Sequence, residues 1–422
     1  MNDTICHRLP ESVRIYEIGG AVRDDLLGEP VTDHDFVVVG ATPEMMLSAG
    51  FRPVGKDFPV FLHPETHEEY ALARTERKAG CGYHGFTFYT APDVSLADDL
   101  WRRDLTINAM ARDKHGTLID PFEGRRDLRA RVLRHVSPAF SEDPLRVLRV
   151  ARFAARLDFD VADETMELMR NIVESGELEA LVAERMWQET ARALMAQKPS
   201  RFLQVLRACG ALAVWMPEVD ALYGVPQKPE YHPEIDAGIH VEEVLDAAAR
   251  FHFSLPVRYA LLCHDLGKAV TTCEQLPDHH GHESKGAPLV NALSKRLKVP
   301  NDCADAARIV TRLHGEVLHV FEMDARALLA LLHSCDALRR PYRLTWLIDA
   351  SFTDCNARAA QPQEDRQGNY LRRALRTLKN VDARKIADEL RDDSAAIPLA
   401  IRAQQIQALR QMIQAWDESL GS

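Results

Sequence analysis

The sequence predicts an α+β protein: a mixed head of short strands and helices, followed by a long all-helical remainder. Three observations predict it. Candidate strands at 14–19, 35–39, 70–74 and 117–120 all fall before residue 140, and Phe36-Val37-Val38-Val39 is a β-branched run of the kind that fills buried strands. From Glu142 onward the strand signals fade, and stretches such as Pro144 to Phe153 place apolar and Arg residues at helical spacing. At 422 residues the chain exceeds one ordinary core, so two to four domains are expected. The boundaries read as a polar extension at 1–12, a head at 13–140, a helical neck or body at 141–225, a histidine-rich helical domain at 226–335 and a polar helical tail at 336–422. The turn-rich connector Gly224 to Pro233 marks the third of these boundaries.

An apolar fraction of 46% with 27% charged residues is that of a soluble globular protein rather than a disordered or membrane chain. There is no run of eighteen apolar residues and no basic start followed by an apolar stretch, so no membrane or export segment is expected. Eight cysteines are scattered without a C-x-x-C pair, which excludes a zinc ribbon or disulfide framework and fits a reduced cytoplasmic setting. The net charge of −11 argues against nucleic acid at first sight, but residues 101–156 carry thirteen Lys or Arg against seven Asp or Glu. A basic patch inside an acidic chain remains compatible with an RNA backbone, because such footprints are local. Solvated helix faces would explain the same count equally well.

Asp33-x-Asp35 follows Gly19-Gly20-Ala21-Val22-Arg23-Asp24 by about ten residues and opens the strand of Phe36. Side chains two apart on a strand share a side, so the two carboxylates form one hard-oxygen site. The glycine pair ends one strand and opens a helix, whose free N–H groups suit a phosphate. Mg²⁺ is commonly held by one or two carboxylates plus substrate phosphates. A lone D-x-D or Gly-Gly is more often a solvated strand end or a plain turn. Their order in this chain points to phosphoryl or nucleotidyl transfer.

Arg102-Arg103-Asp104 adds two guanidinium groups matched to triphosphate oxygens, and Glu142-Asp143-x-x-Arg146 opens the first long helix. By themselves Asp104 and Asp143 read as helix caps. Together with the Gly-Gly and D-x-D strings, and in this order, these motifs resemble those of class II tRNA nucleotidyltransferases, the CCA-adding enzymes, over residues 13 to 335. The resemblance implies a polymerase-beta-like head followed by helical neck, body, HD and tail domains. It implies Asp33 and Asp35 as catalytic Mg²⁺ ligands, and Gly20, Arg23 and Arg103 as contacts to the nucleotide phosphates. Asp143 and Arg146 would select the base: C and A both offer an amino donor beside a ring-nitrogen acceptor, whereas U and G present the reverse. Arg149 and Arg152 continue that stripe and would reach the nucleotide or the tRNA end. The polar stretch Glu76 to Tyr83 would be a flexible loop used for the final A. The implied partners are a tRNA 3′ end, CTP and ATP, without a membrane, for a monomer or homodimer.

Seven of the seventeen histidines lie between His232 and His282, around Cys263-His264-Asp265-Leu266-Gly267-Lys268. Single histidines are usually satisfied core or surface groups, but several on helices around adjacent His and Asp make a mixed N/O site for a divalent metal. The string resembles the HD superfamily, whose members hydrolyse phosphoesters with metal-activated water. The resemblance implies His264 and Asp265 as ligands, with His240 and one of His280 or His282, His280 being the one assigned. The late Asp ligand of that family is not evident in the pattern, and Asp305 is the candidate. The implied metal is Mg²⁺, Ni²⁺ or Mn²⁺, and the implied substrates are 2′,3′-cyclic phosphates, 2′-nucleotides and phosphomonoesters. Rival readings are a poly(A) polymerase, a phosphohydrolase whose head only binds RNA, and a non-enzymatic RNA-binding module.

Overall fold

The computed structural model describes residues 5–420 apart from 32, 55–59, 79–85, 90, 229–234, 359–362 and 392. The chain divides into two compact units, Met1–Ala193 with Arg201–Trp215, and Leu194–Ser200 with Met216–Ser422.

The first unit is built on a mixed sheet. Its strands are β1 (Arg14–Ile18), β2 (Asp35–Val39), β3 (Arg52–Val54), β4 (Val60–Leu62), β5 (Glu69–Leu72), β8 (Ala111–Arg112) and β9 (Leu118–Ile119), in the order β3-β4-β5-β2-β1-β8-β9. The short β6 (Thr75–Lys78) and β7 (Phe86–Tyr89) form a separate antiparallel pair. The expected loop at 76–83 therefore begins inside β6, and residues 79–85 lie outside the described ones. β2 pairs antiparallel with β1 and parallel with β5, which makes it central. It has apolar neighbours on both faces. Phe36 and Val38 pack with Met46, Phe51, Phe61, Tyr70 and Leu72, while Val37 packs with Ile18, Leu100, Ala109 and Ala111. By the period of two, Asp35, the first residue of β2, belongs to the Val37 side, and Asp33 stands two residues before the strand. The expected polar extension is partly core: Ile5 and Leu9 are buried in the Phe36 cluster. Two well-spaced apolar residues were enough to bury this segment.

The helices flanking the sheet start and stop as their sequences dictate. α1 (Gly20–Leu27) ends at left-handed Gly28, and α2 (Pro43–Ala49) begins with Thr42 capping the Met45 N–H. α3 (Leu96–Trp101) carries a full Ser95–Asp98 capping box. After α4 (Gly124–Ala130) comes α5 (Leu145–Leu157), whose apolar side is buried through Val147, Leu148, Val150, Ala151 and Ala154. The strands β10 (Val132–Leu133) and β11 (Asp160–Val161) form a small parallel pair. α6 (Asp163–Glu174), α7 (Ala183–Leu194), α8 (Pro199–Ala208) and α9 (Ala211–Trp215) complete the helical part.

The described secondary structure of the second unit is helical apart from an isolated bridge between Pro226 and Asp236. After the short α10 (Pro217–Asp220) come α11 (Ala237–Arg250), α12 (Leu255–Cys263), α13 (His282–Arg296), α14 (Asn301–Leu318), α15 (Ala325–Ser334), α16 (Pro341–Asn356), α17 (Arg366–Lys379), α18 (Ala383–Glu389) and α19 (Ile397–Leu420). α14 packs against α12, α13 and α16, and α11 against α12 and α16. α16 was expected in the tail, yet it belongs to this bundle, because Leu344, Leu347, Ile348 and Ala350 are buried. No described helix is long and apolar enough to cross a membrane.

Candidate functional sites

Strand register builds the first site. Ile18 pairs with Asp35, so the Gly19-Gly20 turn leaves β1 beside the carboxylates at the start of β2. Gly19 has φ +67°, and a Cβ there would lie 3.1 Å from Nη1 of Arg103, so glycine meets both a backbone and a space requirement. Asp33 and Asp35 are both exposed. Partial burial raises the Asp35 carboxyl above its ordinary value; Arg103 opposes the shift and Asp33 adds to it. Arg103 also reaches Asp99 at 3.2 Å. Two carboxylates, a helix start and a guanidinium thus lie within one neighbourhood.

A ridge of arginines on α5 extends from there. Arg146 donates to the carbonyls of Ala139 and Arg102, at 2.7 Å each. Arg149 donates through Nε to Asp104 at 2.8 Å, Arg152 to Glu189 at 2.5 Å and Arg156 to Asp24 at 2.8 Å. Arg102, read with Arg103 as matched to triphosphate oxygens, pairs here with Glu142. Asp143 does cap, accepting from the Leu145 N–H at 3.1 Å, and its other oxygen accepts from Arg185 at 3.3 Å. Arg185 and Glu189 lie on α7, and the sequence reading missed both because neither stands in a recognisable string. Arg23 is 2% exposed, donates to both oxygens of Asp24 and to Asn108, and lies 5.0 Å from the Phe153 ring centre. In this structure the guanidinium is an interior tie beside the glycine turn, 3.6 Å from where a Cβ on Gly20 would lie.

The second site is built by four rings and two carboxylates. His264 ends α12, His240 stands on α11, His314 on α14, and His282 opens α13. Ring centres are 5.4 Å apart for His240 and His264, 5.2 Å for His264 and His314, and 5.4 Å for His282 and His314. Three of the rings are oriented from behind. Nδ1 of His264 donates to the Leu261 carbonyl at 2.7 Å, that of His314 to Val310 at 3.0 Å and that of His282 to His279 at 3.1 Å. A carbonyl only accepts, so Nδ1 holds the proton, and on a neutral ring Nε2 presents a lone pair. Burial and neighbouring His264 push His314 down to about 4, which keeps it neutral at physiological pH. Asp265 is 1% exposed. Burial opposes its ionisation, yet His264 and Lys268, the latter 2.7 Å away, hold its carboxyl well below the usual range.

Two expectations are corrected here. His280 is exposed and faces Asp278, whereas His282 Nε2 lies 3.3 Å from Asp265. The reason is a close helix approach: a Cβ on Gly267 would lie 1.9 Å from the His282 carbonyl and 2.7 Å from the Gly286 nitrogen. Gly267 and Gly286 therefore let the first turn of α13 close on the H-D-L-G segment, and His282 arrives with it. The carboxylate that faces these rings is that of Asp354 on α16, with Oδ1 2.9 Å from His240 Nε2 and 3.9 Å from His264 Nε2. Asp305 instead pairs with Arg308 and Arg343.

A family profile described as "Poly A polymerase head domain" matches residues 15–134, and one described as "Probable RNA and SrmB- binding site of polymerase A" matches residues 158–223. Proteins named multifunctional CCA protein are similar along nearly the whole chain. That of Burkholderia ambifaria strain MC40-6 is 56% identical over 95% of this chain and 99% of its own length. That of Burkholderia multivorans strain ATCC 17616 / 249 is 57% identical over 94% and 98%. The chain belongs to this family of CCA-adding tRNA nucleotidyltransferases.

Solved relatives agree with the multifunctional CCA protein family assignment in fold. The CCA-adding enzyme of Bacillus stearothermophilus in complex with CTP has a TM-score of 0.63 at 25% identity, over 97% of this chain and 94% of that one. An apo form II of a CCA-adding enzyme has a TM-score of 0.64 at 21% identity, over 97% and 92%.

Proposed function

We propose that the chain adds and repairs the 3′-terminal CCA of tRNA from CTP and ATP without a nucleic-acid template. The observation that carries this reading is the Ile18–Asp35 register, which sets the D-x-D pair beside the Gly19-Gly20 helix start and Arg103. The tRNA 3′-hydroxyl oxygen attacks the α-phosphorus, the bond to the β-phosphate oxygen breaks, and pyrophosphate leaves. Asp33 and Asp35 are the residues that would hold Mg²⁺, their all-oxygen donor set fits it, and the ions would neutralise charge on the attacking and leaving oxygens. Arg103 supplies fixed positive charge to the phosphates, and the first N–H groups of α1 supply donors. Asp143 accepts from the exocyclic amine of C or A, while Arg146 donates to the ring nitrogen. U and G would leave both groups unsatisfied. Support for the substrate comes from the CTP bound to the Bacillus stearothermophilus relative.

The test is incorporation on tRNA truncated before CCA, with CTP, ATP and both. Addition of C, C and then A is expected. Long runs of A from ATP alone would identify a poly(A) polymerase instead. Asp35→Ala should abolish incorporation, and incorporation that survived it would remove the role assigned to the pair.

We also propose a second, hydrolytic activity in an HD domain, supported by the His240–His264–Asp265–Asp354 cluster. We keep the expected division into head, neck, HD and tail, with α16 moved from tail to HD. A mixed set of two imidazoles and two carboxylates suits Ni²⁺ through its nitrogens, while Mn²⁺ and Mg²⁺ draw mainly on the oxygens. The substrates that suit repair of a damaged 3′ end are 2′,3′-cyclic phosphates, 2′-nucleotides and phosphomonoesters. Release of phosphate from a 2′-nucleotide, dependent on added Ni²⁺ or Mn²⁺ and lost in Asp265→Ala, is the expected result.

A further inference from the structure

The two faces of the sheet around β2 carry different chemistry. Asp35 lies on the Val37 side, paired across the ladder with Ile18. On the other side Glu17 of β1 stands opposite both Phe36 of β2 and Arg112 of β8. Residues paired across a ladder share a face, so Glu17 and Arg112 lie behind the strand end that carries Asp35. His34, the middle residue of Asp33-His34-Asp35, joins them there. Its ring stacks on Phe36, with 6.5 Å between centres and 17° between planes, and its Nδ1 lies 2.6 Å from Oε1 of Glu17. A carboxylate accepts, so Nδ1 donates. Oε2 of Glu17 accepts from Nη1 of Arg112 at 3.5 Å, and Nη2 of Arg112 pairs with Asp25 on α1. Four side chains thus run without a break from the helix that opens at Gly20 to the middle of the D-x-D string.

We infer that His34 is a positioning residue for nucleotidyl transfer: through Glu17 and Arg112 it fixes the carboxylates of Asp33 and Asp35 relative to the start of α1. The inference rests on the Mg²⁺ role proposed above for the two carboxylates and deepens it. The ladder itself cannot supply this restraint. Pairing of β1 with β2 ends at Ile18 and Asp35, and pairing of β2 with β5 begins at Asp35. Asp33 and His34 precede β2, so a side-chain tether at His34 restrains the backbone exactly between the two carboxylates.

The tether is anchored at its inner end. The Glu17 side chain is 13% exposed against 42% for His34, and Glu17 answers two donors on opposite flanks, one from β2's leading segment and one from β8. Arg112 in turn answers Glu17 and Asp25 together, which couples the strand to the helix whose first N–H groups face the phosphates. Ligating carboxylates depend on partners of this kind, because an ion is held well only when its ligands are already in place. The tether works from the back of the sheet, so it leaves the oxygens of Asp35 on the front for the ion.

The test uses the full chain with CTP and no tRNA, so that nothing is transferred, and calorimetry follows CTP binding as Mg²⁺ is raised. In His34→Ala the Mg²⁺ concentration that half-saturates the Mg²⁺-dependent part of CTP binding should rise about 10-fold, the low end for loss of a partner behind a metal ligand. CTP binding without Mg²⁺ and the melting temperature should stay as in the wild type. Glu17→Leu should reproduce the shift with His34 still in place, and His34→Gln, which keeps an N–H for Glu17, should recover most of it. In incorporation assays His34→Ala and Glu17→Leu should lose kcat with KM for tRNA unchanged. An unaltered Mg²⁺ response in His34→Ala would overturn the inference and leave the D-x-D reading standing. A shift in His34→Ala that Glu17→Leu failed to reproduce would overturn the tether. A lowered melting temperature without recovery in His34→Gln would make the pairing merely structural, which also overturns it. Wild-type CTP binding that ignored Mg²⁺ would overturn the metal role of the two carboxylates and the inference with it.

Discussion

Arg149 grips one oxygen of Asp104 twice, through Nε at 2.8 Å and Nη2 at 2.6 Å. The other oxygen accepts from the Leu105 N–H and from Asn108. Asp104 is 6% exposed, so its charge survives burial only because these partners answer it. Burial opposes its ionisation, but Arg149 first, then Asn108, hold the carboxyl well below the usual range. We therefore expect Arg149→Ala to destabilise the first unit. About a third of the Arg149 side chain is solvated, so the loss should be about 1–3 kcal/mol rather than the full penalty of an unpaired buried charge. The sign with pH follows from the depressed carboxyl. Its contribution is present above the ordinary carboxylate range and fades as pH falls below about 4, where the unfolded chain takes up the proton first. Urea melts of wild type and variant should differ at pH 7 and converge on acidification. Parallel curves at both pH values would contradict the pairing.

Asp143 is held between the Leu145 N–H and Arg185. If it selects the base, its removal should equalise nucleotides rather than merely slow the enzyme. For Asp143→Ala we expect kcat/KM for CTP and ATP to fall on the order of 100-fold, with discrimination against UTP collapsing. Arg185→Ala should show a smaller fall in the same direction, because the carboxylate loses one of two restraints. Unchanged discrimination in Asp143→Ala would leave Asp143 as a helix cap only.

What the sequence disclosed and what it withheld divide along physical lines. Asp33, Asp35, Gly19, Gly20 and Arg103 were legible because short-range rules set them: the period of a strand, the turn of a glycine pair, the order of strings. The α+β class was legible for the same reason, although β3, β4 and β8 are too short to leave a periodic pattern. The burial of Arg23 was not legible, because it depends on Phe153 and Asn108, far along the chain. His282 could have been chosen over His280 from one signal, the glycines 267 and 286 that permit close helix packing. Asp354 had none. It stands 89 positions beyond Asp265 on α16, and only the packing of α16 on α11 and α12 brings it to His240.

Asp349 lies one turn before Asp354 on the same helix, and burial pushes its carboxyl up to about 6, with Arg372 opposing and Asp365 adding to the shift. A raised carboxyl means that the folded state binds the proton more tightly than the unfolded one. Its contribution is favourable at and below about pH 4 and is lost as pH rises through about 6, so at pH 7 the ionised group is a liability. Asp349→Asn should raise stability at pH 7 by about 1–3 kcal/mol and flatten the decline of stability between pH 4 and 6. Thermal melts across that interval provide the measurement. A variant less stable than wild type at pH 7 would show that the Arg372 pairing outweighs burial.

The two candidate late carboxylates are separable by experiment. Asp354 faces the Nε2 atoms of His240 and His264, whereas Asp305 is tied to Arg308 and Arg343. Loss of the Asp354 charge removes a ligand and leaves both rings without a carboxylate on that side. Loss of the Asp305 charge breaks ion pairs that hold α14 to the start of α16. Asp354→Asn should therefore weaken Mn²⁺ binding on the order of 100-fold and suppress hydrolysis of a 2′-nucleotide, with the melting temperature of the metal-free chain little changed. Asp305→Asn should lower that melting temperature and leave Mn²⁺ affinity alone. Side-by-side titration and melting of the two variants in the Asp33→Ala, Asp35→Ala chain decides the matter. If Asp305→Asn lost the metal and Asp354→Asn kept it, the assignment on α16 would be wrong.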